Sequence, residues 1–565
     1  MENNNKTIIR GIYPEIEGGR FPVKTEIDRP FFVSAYIYGE KPDKVTLNFK
    51  KKGTKTWKKS EMFFNSTEWQ GSINFERIGL YEYTVEALFQ ETKTIVTYDK
   101  NLEVWVEPVN ARYAAWYEMF HWSQGTVQGK CATFKDMEKR LPEIESLGFD
   151  VLYLPPVHPV GKTNKKGPNN SLVAGPDDPG CPWSIGNEFG GHKAINPNFG
   201  TLSDFKSFVK KCKEHGMDVA LDIALTCSYD HPYIKEHPGW FFYNPDGTVK
   251  FAENPPKKYQ DTVFLNFYPK DREEMWKEMK SIFTFWIKQG VKIFRIDNPH
   301  TKPEEFWEWV IREIKKDHPE TIFLSEAFTF YEKLELLAKV GFSQSYTYFT
   351  WRNEKNEIIE YVSKLTGSYL KNFLRANFFA NTPDILPKIL QVGGRPAFKM
   401  RAVLATTLSS VYGIYNGFEL CEGTPINGKE EYLNSEKFEY KAWDWNRPGN
   451  IKDLIAKLNR IRKENPALQL YDNLKFYNST DDKILFYGKM TEDRKNIILI
   501  AVNLDPYSTQ KARVTVPVEE FGVASNEKYK VRELLTDKVY TWQGRENNVI
   551  INPQIEPAQI FKVEL

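Results

Sequence analysis

The segment Val291-Lys-Ile-Phe-Arg-Ile-Asp297-Asn-Pro-His300 places two charged side chains on an apolar stretch with the length of one strand. Side chains alternate along a strand, so Arg295 and Asp297 lie on the same face. In a closed barrel of strands, one face of every strand points inward. A guanidinium beside a carboxylate keeps that carboxylate ionised, as a nucleophile at neutral pH requires. Taken alone, the pair is equally consistent with a structural salt bridge.

Seven other short apolar segments in this part of the chain alternate with amphipathic helices. Such alternation is typical of parallel βα units, and eight strands favour a closed α/β barrel over an open sheet. The sequence therefore predicts a (β/α)8 TIM barrel. Its predicted strands are 114–120, 151–154, 218–223, 292–297, 321–326, 344–349, 375–379 and 410–415, and its helices include 202–215, 272–290, 304–316 and 451–464.

Both flanks of the barrel have strand-like composition, with Gly, Pro and Lys in the turns. They predict an N-terminal immunoglobulin-like β-sandwich at residues 1–107 and a C-terminal β-sandwich at 468–565. The catalytic barrel is predicted at residues 108–467. The predicted flanking strands are 31–38, 44–49, 69–73, 81–88 and 94–104, followed after the barrel by 483–487, 496–502, 512–516 and 549–552.

Two long irregular inserts interrupt the predicted barrel. Residues 158–198 are rich in Gly, Pro and Asn, and residues 226–270 are rich in Pro, Tyr and Lys. Each insert follows a predicted strand, which places it on the carboxyl-terminal rim of the barrel, where substrate sites are built. Surface decoration is the other interpretation, but loops of this length inside a compact domain are usually functional.

Three further carboxylates lie at or just beyond strand ends. Glu326 ends an apolar strand, and apolar surroundings raise the pKa of a carboxyl group, as a general acid needs. With Asp297 it forms the pair of a retaining glycosidase if the two carboxyl groups lie about 5 to 5.5 Å apart. Asp222 ends the third strand. Asp384 follows the seventh strand, where a helix N-cap is the alternative role.

The order Asp222, Arg295-Ile-Asp297, Glu326 and Asn381-Thr-Pro-Asp384 resembles the four motif regions of the α-amylase superfamily. Further stretches resemble the maltosyltransferases that extend α-1,4-glucans from maltose 1-phosphate, and this resemblance spans nearly the whole chain. They are Ala115-Trp-Tyr-Glu-Met-Phe120, Leu154-Pro-Pro-Val-His-Pro159, Lys166-Gly-Pro-Asn-Asn170, Asn254-Pro-Pro-Lys-Lys-Tyr259, Asp297-Asn-Pro-His-Thr-Lys-Pro303 and Tyr432-Leu-Asn-Ser-Glu-Lys437.

The resemblance implies a role for each matching residue. Asp297 corresponds to the nucleophile that forms a covalent glycosyl enzyme, Glu326 to the acid/base, and Asp384 to the carboxylate that stabilises the distorted sugar. The resemblance also implies that Arg295 and Asp222 support the nucleophile and the sugar ring. The positions implied to bind the donor are Lys166, Lys257, Tyr259 and Asn298 around the phosphate, and Asn170 and Lys437 at the sugar. We expect His300 to contact sugar hydroxyls.

Lysines distinguish the transferase from an amylase, which has no phosphate to bind. A phosphate monoester carries about two negative charges near neutrality, and two lysines with neutral donors offset them. Lys257 and its neighbour Lys258 are equally consistent with a solvated surface pair.

Two positions depart from the transferase pattern: Thr226 stands where Gln is usual, and Phe438 where Tyr is usual. The N-terminal sandwich is also too short for the helical insertion that many members use in dimerisation.

Composition excludes several classes of partner. The chain has 77 Lys and Arg against 75 Asp and Glu, so its net charge of +2 creates no broad field for nucleic acid or an anionic membrane. The N-terminal residues 1–10 lack an apolar leader segment, and no stretch approaches the roughly 18 apolar residues of a membrane span. We therefore expect a cytoplasmic protein. Aromatic residues, 15% of the chain, suit stacking on sugar rings.

Neither cysteines nor histidines form a metal-ligand spacing. The five cysteines are scattered and lack a CxxC pair, so we expect reduced thiols. The histidines named in the motifs and inserts are each isolated in sequence: His121, His158, His192, His231 and His300. We expect no metal and no cofactor, and the absence of a Gly-rich nucleotide loop indicates a sugar phosphate instead of a nucleotide.

These observations lead to one hypothesis and two alternatives. The hypothesis is a retaining transferase that moves a maltosyl unit from maltose 1-phosphate to the non-reducing end of an α-1,4-glucan and releases phosphate, through a glycosyl-Asp297 intermediate. The first alternative is an α-glucan hydrolase or transglycosylase that uses unphosphorylated donors. The second is a catalytically inactive glycan-binding protein, which the complete set of carboxylates disfavours. The expected partners are the two substrates, and a homodimer is left open.

Overall fold

The computed structural model describes residues 7–255 and 257–565 of the chain. Residues 1–6 lie outside the described residues. They are the first residues of the predicted N-terminal sandwich and of the segment 1–10 that was searched for a leader pattern. Pro256, in the motif that begins at Asn254, also lies outside them. Among the helices of the described residues, none has both the length and the apolar composition that crossing a bilayer requires.

Nine N-terminal strands precede the barrel. They are, from β1 to β9, Ile8–Tyr13, Val23–Glu26, Phe31–Tyr38, Lys44–Lys51, Lys58–Phe64, Trp69–Ile73, Gly79–Phe89, Thr94–Thr97 and Leu102–Glu107. They form one continuous sheet in the order β1-β3-β6-β5-β4-β7-β9-β2, with β8 paired to β7. Inward residues such as Val33, Leu47 and Val85 are buried and build the core. The prediction of a single strand at 94–104 is wrong: it divides into β8 and β9, and the residues 99–101 between them, Asp-Lys-Asn, are poor strand formers.

Eight parallel strands close into a barrel, which confirms the predicted fold class. Most of their residues are buried on both faces, since the strands lie between the barrel interior and a ring of helices. Of strands β10–β20, the barrel strands are β10 (Ala114–Glu118), β11 (Val151–Leu154), β12 (Asp218–Ile223), β16 (Ile293–Ile296), β17 (Ile322–Ser325), β18 (Gln344–Tyr346), β19 (Ala376–Phe379) and β20 (Val411–Tyr415).

The second insert is not irregular throughout, as the sequence had suggested. It contains a small antiparallel sheet of β13 (Thr226–Cys227), β14 (Phe251–Asn254) and β15 (Lys257–Phe264), in the order β13-β15-β14. Its prolines and lysines obscure the strand pattern, because the sheet buries few apolar side chains, among them Ala252 and Val263. This sheet lies over the carboxyl ends of the barrel strands, since Asn254 in β14 lies within hydrogen-bonding distance of Asn298 and His300.

Helices surround the barrel and bury the apolar face that their periodicity predicts. In the helix Glu304–Asp317, for example, Phe306, Val310 and Ile314 are buried while the intervening acidic residues face out. The helices α1–α12 are Phe134–Glu138, Leu141–Ser146, Leu202–Glu214, Tyr233–Glu236, Arg272–Lys288, Glu304–Asp317, Tyr331–Val340, Lys355–Gly367, Lys388–Val392, Gly394–Leu408, Lys452–Glu464 and Val518–Phe521.

Eight strands after the barrel form a six-stranded sheet, β21-β22-β23-β28-β25-β26, and a two-stranded sheet, β24-β27. The two sheets share one apolar core that includes Phe486, Val514 and Phe561. Charged residues on the outward positions of β25 and β28 hid these strands from the sequence analysis. The strands are Leu474–Tyr477, Ile484–Met490, Ile497–Asn503, Gln510–Thr515, Lys528–Glu533, Val539–Gln543, Glu546–Ile551 and Ala558–Glu564.

Candidate active site

Arg295 binds three carboxylates at the carboxyl-terminal end of the barrel. One terminal nitrogen donates to Asp222 Oδ2 and to Asp297 Oδ1, both at 2.9 Å. The other lies 3.1 Å from Glu326 Oε1. The strand register places Arg295 directly beside Asp222, and Glu326 follows the next strand along the barrel. The carboxylates of Asp297 and Glu326 therefore face the same space, from opposite ends of one guanidinium.

Asn298 links the same two carboxylates a second time. Its backbone N–H donates to Glu326 Oε2 at 3.1 Å, and its side-chain amide donates to Asp297 Oδ2 at 3.2 Å. The residue has a left-handed backbone with φ of 42°, which is uncommon outside glycine and is tolerated best by Asn and Asp. This conformation directs both donors of one residue at the two carboxylates.

Burial raises the pKa of Glu326 to about 7, against the opposing effect of Arg295; Asp297 adds to the increase, and the N–H of Asn298 reduces it. A carboxyl group with this pKa exists in both protonation states near neutrality, so it can give up a proton and later accept one. Burial is thus the main cause of the raised pKa, in line with the apolar strand that precedes Glu326.

Asp222 lies beneath the site and is fully buried. Burial raises its pKa to about 7, although Arg295 opposes the shift. The hydroxyl of Tyr153 donates to Oδ2 at 2.6 Å, and the indole nitrogen of Trp183 donates to the same atom at 3.2 Å. Oδ1 is also buried and has no hydrogen-bond partner among residues 7–255 and 257–565.

Asp384 pairs with Lys437 and does not cap a helix. The Lys437 ammonium donates to Asp384 Oδ1 at 2.6 Å and lies 4.7 Å above the centre of the Trp183 ring. Burial by itself would raise the pKa of Asp384, but Lys437 and more distantly Lys257 lower it to about 2. The N-cap of the following helix is Pro387, so the capping alternative for Asp384 is wrong.

Two adjoining cavities collect most of the predicted substrate-binding residues. Tyr259, Asp384 and Lys437 line both of them. The smaller cavity, of about 70 Å³, also contains Asp297 and Asn298. The larger, of about 160 Å³, is additionally lined by the predicted donor-binding residues Lys166, Asn170 and Lys257.

The two predicted phosphate lysines differ in their surroundings. Lys166 is 4% exposed, and its ammonium donates to the neutral side chain of Gln260 at 2.7 Å. Lys257 is exposed at the start of β15, although it lines the larger cavity. Neither ammonium forms an ion pair with a carboxylate of the described residues, so both remain available to an anion.

His300 lies behind the cavities and does not line either of them. Its Nε2 is 3.2 Å from the amide nitrogen of Asn254, which lines the smaller cavity. Burial lowers the pKa of His300 to about 4, so the ring is neutral near pH 7. The structure thus shows His300 as a contact of Asn254, and its expected contact with a sugar hydroxyl stays a prediction.

The two positions that depart from the transferase pattern line the cavities. Thr226 borders the smaller cavity, and its hydroxyl lies 3.4 Å from the backbone oxygen of Trp183. Phe438 borders the larger cavity with an apolar ring.

Three further residues of the site were not predicted from the sequence: Tyr153 and Trp183, which bind Asp222, and Lys302, which lines the smaller cavity. Lys302 stands in a quoted motif, and its spacing of five from Asp297 gives no strand or helix signal.

Three histidines that are isolated in sequence, His158, His192 and His231, lie close together in space. His192 Nδ1 lies 3.1 Å from His231 Nε2. One ring nitrogen of each histidine and the Cys227 sulfur lie within 4.8 Å of one another. The ring of His158 packs 5.8 Å from that of His192. His158 and His192 are 34 residues apart, and His192 and His231 are 39 apart, so no local pattern predicts their contacts. The contacts form because the two inserts fold against each other.

Hydrogen bonds occupy the ring nitrogens of the central pair. The backbone N–H of Tyr233 donates to His231 Nδ1 at 3.1 Å, which leaves the proton of His231 on Nε2 to be donated to His192. His192 Nε2 in turn donates to the backbone oxygen of Ala224 at 2.9 Å. With all four nitrogens engaged, this group fits a structural hydrogen-bond chain better than a metal centre.

Three family models match consecutive parts of the chain. Residues 5–111 match the family described as alpha-1,4-glucan:maltose-1-phosphate maltosyltransferase, domain N/S. Residues 116–329 match the alpha amylase catalytic domain, and residues 476–563 match the family described as GLGE, C-terminal. These matches confirm the resemblance seen in the motifs.

Curated relatives with the name alpha-1,4-glucan:maltose-1-phosphate maltosyltransferase are similar over most or all of the chain. The protein of Rhodospirillum rubrum is 55% identical over 462 residues, which are 82% of this chain and 67% of the relative. Those of Methylacidiphilum infernorum and Chlorobaculum tepidum are 42% and 41% identical over the whole chain and cover 96% and 97% of the relatives. The M. infernorum alignment runs over 644 positions, so that relative has residues without a counterpart here.

Solved structures show the same fold at low identity. A maltogenic alpha-amylase from Thermotoga neapolitana has a TM-score of 0.64 at 20% identity, covering 80% of this chain and 99% of its own. An alpha-amylase from Lactobacillus plantarum has a TM-score of 0.60 at 22% identity, with the same coverage of both chains. At this level of identity the likeness concerns the fold alone.

Proposed function

Because this chain belongs to the alpha-1,4-glucan:maltose-1-phosphate maltosyltransferase family, we propose that it moves a maltosyl unit from maltose 1-phosphate to the non-reducing end of an α-1,4-glucan, releasing phosphate. The observation that carries the proposal is the convergence of Asp297 and Glu326 on the guanidinium of Arg295. A nucleophile and an acid/base that face one gap are the machinery of retaining glycosyl transfer, which needs no cofactor. We further propose a cytoplasmic location and the division of the chain after residues 107 and 467.

In the first step, an oxygen of Asp297 attacks the anomeric carbon of the donor as the bond from that carbon to the phosphate oxygen breaks. The bonding electrons leave with phosphate, which takes the proton from Glu326. The product is a β-linked maltosyl ester of Asp297. Asp384, held ionised by Lys437, stabilises the positive charge that develops on the sugar ring, while Arg295 and Asp222 orient the nucleophile and the sugar.

In the second step, the 4-hydroxyl of the glucan end attacks the same carbon and the ester bond to Asp297 breaks. Glu326, now ionised, accepts the hydroxyl proton and returns to its starting state. Two inversions give net retention, and the glucan is longer by one maltosyl unit. The pKa of about 7 at Glu326 suits both steps, since neither protonation state is strongly disfavoured at neutral pH.

The lysines support a phosphorylated donor over starch. Lys166 and Lys257 border the larger cavity without a carboxylate partner among the described residues, and Tyr259 and Asn298 offer neutral donors nearby. An anion with about two charges would offset these cations, whereas an unphosphorylated glucan would leave them uncompensated. No observation specifically favours a hydrolase.

The experiment is an incubation of the purified protein with maltose 1-phosphate and glycogen, followed by assay of phosphate and of chain length. We expect phosphate release, longer chains, retained α-configuration, and loss of all turnover in Asp297→Ala. Release of reducing sugars from starch without maltose 1-phosphate, together with no phosphate release in its presence, would reject the proposal in favour of a hydrolase. Turnover by neither route would indicate a glycan-binding protein.

A further inference from the structure

Lys302 is a buried lysine beside the nucleophile. It follows the short 3-10 turn Pro299–Thr301, precedes the helix Glu304–Asp317, and is 4% exposed. Its ammonium donates to the backbone oxygens of Asp297 at 3.4 Å and Asn298 at 3.2 Å. An ammonium has three N–H donors, so these two contacts leave one for another acceptor.

The ammonium of Lys302 has no carboxylate partner within ion-pair distance among the residues that the structure describes. Two other cations of the site do: Arg295 pairs with Asp222, and Lys437 pairs with Asp384. The buried Lys166, like Lys302, has no such partner among the described residues. Removing an ammonium from water without a counter-ion is costly, so a compensating anion would stabilise its position. The 70 Å³ cavity, which Lys302 lines together with Asp297, Asn298 and Tyr259, offers a place for one.

Several charged groups face this ammonium. Burial lowers the pKa of Lys302 to about 8, and its neighbours only partly offset that effect: Asp297, Glu326 and Asp222 raise the pKa while Arg295 lowers it. His300, one turn away on the same segment, is neutral near pH 7. The lysine is therefore charged at neutral pH and loses its proton just above it.

We propose that Lys302 binds the phosphate of the donor through the cavity that it shares with Asn298 and Tyr259, and stabilises the negative charge of the departing phosphate, so that it sets the preference for phosphorylated donors. This inference rests on the proposed function and adds a third lysine to Lys166 and Lys257. Its position differs from theirs, because Lys302 shares a cavity with Asp297 itself, whereas the other two line the larger cavity.

A purely structural role is the competing explanation. The two carbonyl contacts of Lys302 hold the left-handed Asn298, which in turn binds Asp297 and Glu326. If that were all, the loss of Lys302 would disturb both carboxylates and slow every donor equally. A phosphate contact would instead slow a phosphorylated donor selectively, and this difference distinguishes the two roles.

The experiment compares wild-type protein with Lys302→Met and Lys302→Arg on two donors, maltose 1-phosphate and the phosphate-free α-maltosyl fluoride, with glycogen as acceptor. We expect kcat/KM of Lys302→Met with maltose 1-phosphate to fall about 10- to 100-fold, because the variant loses one hydrogen bond between charged groups. Its loss with the fluoride is expected to stay within about threefold. Lys302→Arg retains the charge and is expected to recover part of the phosphate-dependent activity.

Lys489→Met is the matched control for removal of a buried lysine. Lys489 is 1% exposed, its ammonium has no partner among the described residues, and it lies in the C-terminal strand β22. We expect unchanged kinetics with both donors. An equal loss on the two donors in Lys302→Met would overturn the inference about Lys302 while the proposed function stands. Wild-type turnover of the fluoride without any phosphate release from maltose 1-phosphate would overturn both.

A second measurement keeps the inference testable even if Lys302→Met does not fold. Inorganic phosphate is expected to inhibit wild-type turnover of α-maltosyl fluoride by occupying the site beside Lys302. Because the lysine loses its charge above about pH 8, the inhibition constant is expected to rise about tenfold between pH 7 and pH 9. An inhibition constant that does not change over this range would contradict the role.

Discussion

The ammonium of Lys437 donates to Asp384 Oδ1 at 2.6 Å, in a site where burial alone would favour the neutral acid. The pKa of Asp384 is consequently about 2, so the carboxylate remains ionised throughout the neutral and mildly acidic range. A stabiliser of positive charge on the sugar has to be ionised to act. In the proposed mechanism, this lysine therefore supports catalysis through Asp384 as well as through its predicted contact with the donor sugar.

Substitution of Lys437 by Met is expected to change the acid side of the pH profile. Without the ammonium, burial raises the pKa of Asp384, so the carboxylate takes up a proton as the pH falls. We expect kcat/KM for maltose 1-phosphate to fall about 10- to 100-fold at pH 7. We also expect kcat/KM of the variant to fall as the pH is lowered, because Asp384 takes up a proton. In the wild type, the pKa of about 2 keeps Asp384 from causing such a fall above about pH 3. Initial rates between pH 4 and pH 9 measure both effects.

Lys399→Met is the control for this substitution. Lys399 is 4% exposed and pairs with Glu556 at 2.8 Å, away from both cavities. Its loss is expected to reduce the melting temperature and to leave the shape of the pH profile unchanged. The same fall at low pH in Lys399→Met, or none in Lys437→Met, would contradict the argument.

Asn298 provides a pair of variants that separates backbone strain from function. At φ of 42°, Gly is unstrained while Ala has an unfavourable Cβ contact, so Asn298→Ala is expected to be less stable than Asn298→Gly by about 1 kcal/mol. Both variants lose the amide that donates to Asp297 but retain the N–H that donates to Glu326. We therefore expect similar losses of activity despite different stabilities. Activities that follow stability would indicate that Asn298 acts only through the fold.

Glu326 is expected to set the alkaline side of the profile. The first step needs its protonated form, and its pKa is about 7, so kcat/KM for maltose 1-phosphate should fall as the pH rises through that value. In Glu326→Gln, α-maltosyl fluoride can still form the ester on Asp297, because fluoride leaves without a proton. Mass spectrometry of the mixture should then show protein heavier by one maltosyl group. Glu326→Gln combined with Asp297→Asn should show no such species.

The barrel was predictable because most of its strands are apolar runs between helices with a clear period. All eight predicted strands coincide with observed ones, and the ends differ by at most three residues, as at 344–349 against Gln344–Tyr346. Two strands with charged outward positions were not predicted. Lys528–Glu533 is buried only at alternate residues, and in Lys58–Phe64 only Met62 is buried.

The site was predictable to the extent that its residues occupy strand ends. Asp222, Arg295 and Asp297 follow from alternation, whereas the contact of Arg295 with Glu326 depends on how neighbouring strands are staggered, which no local pattern contains. Lys302 and the histidine contacts depend on loop conformation. The left-handed Asn298 turns the backbone back toward the site, and the two inserts meet only in the folded chain.

The burial of His192 and His158 predicts acid sensitivity. Burial lowers the pKa of His192 to about 4 and of His158 to about 3, well below the ordinary value near 6.5. The unfolded chain therefore binds more protons than the folded one between about pH 6.5 and pH 3, and stability is lost as the pH falls through this window. The melting temperature should decline accordingly, and less steeply in His192→Gln.

Zinc tests the contact between His192 and His231. Since the ring nitrogens of His192 and His231 are engaged in hydrogen bonds, micromolar zinc is expected to leave the melting temperature of the protein unchanged. A metal that binds the folded state would raise it by mass action. A rise that disappears in Cys227→Ser would show that the three side chains form a metal site after all.

Lys489 is a buried ammonium that stabilises nothing in the described structure, and its removal is expected to strengthen the fold. Burial lowers the pKa of Lys489 to about 7 from an ordinary value of 10.5. Between these two pH values the unfolded chain binds more protons than the folded one, so stability rises with pH. Below pH 7 the lysine is charged in both states, and the free-energy cost of burying its charge is fully present. Lys489→Met should therefore gain about 1 to 3 kcal/mol at pH 6 and lose most of that advantage by pH 10. Thermal melts at both pH values measure this, with Lys495→Met, at an exposed position of the same domain, as the control expected to match wild type. A destabilised Lys489→Met would mean that the ammonium has a favourable contact in solution.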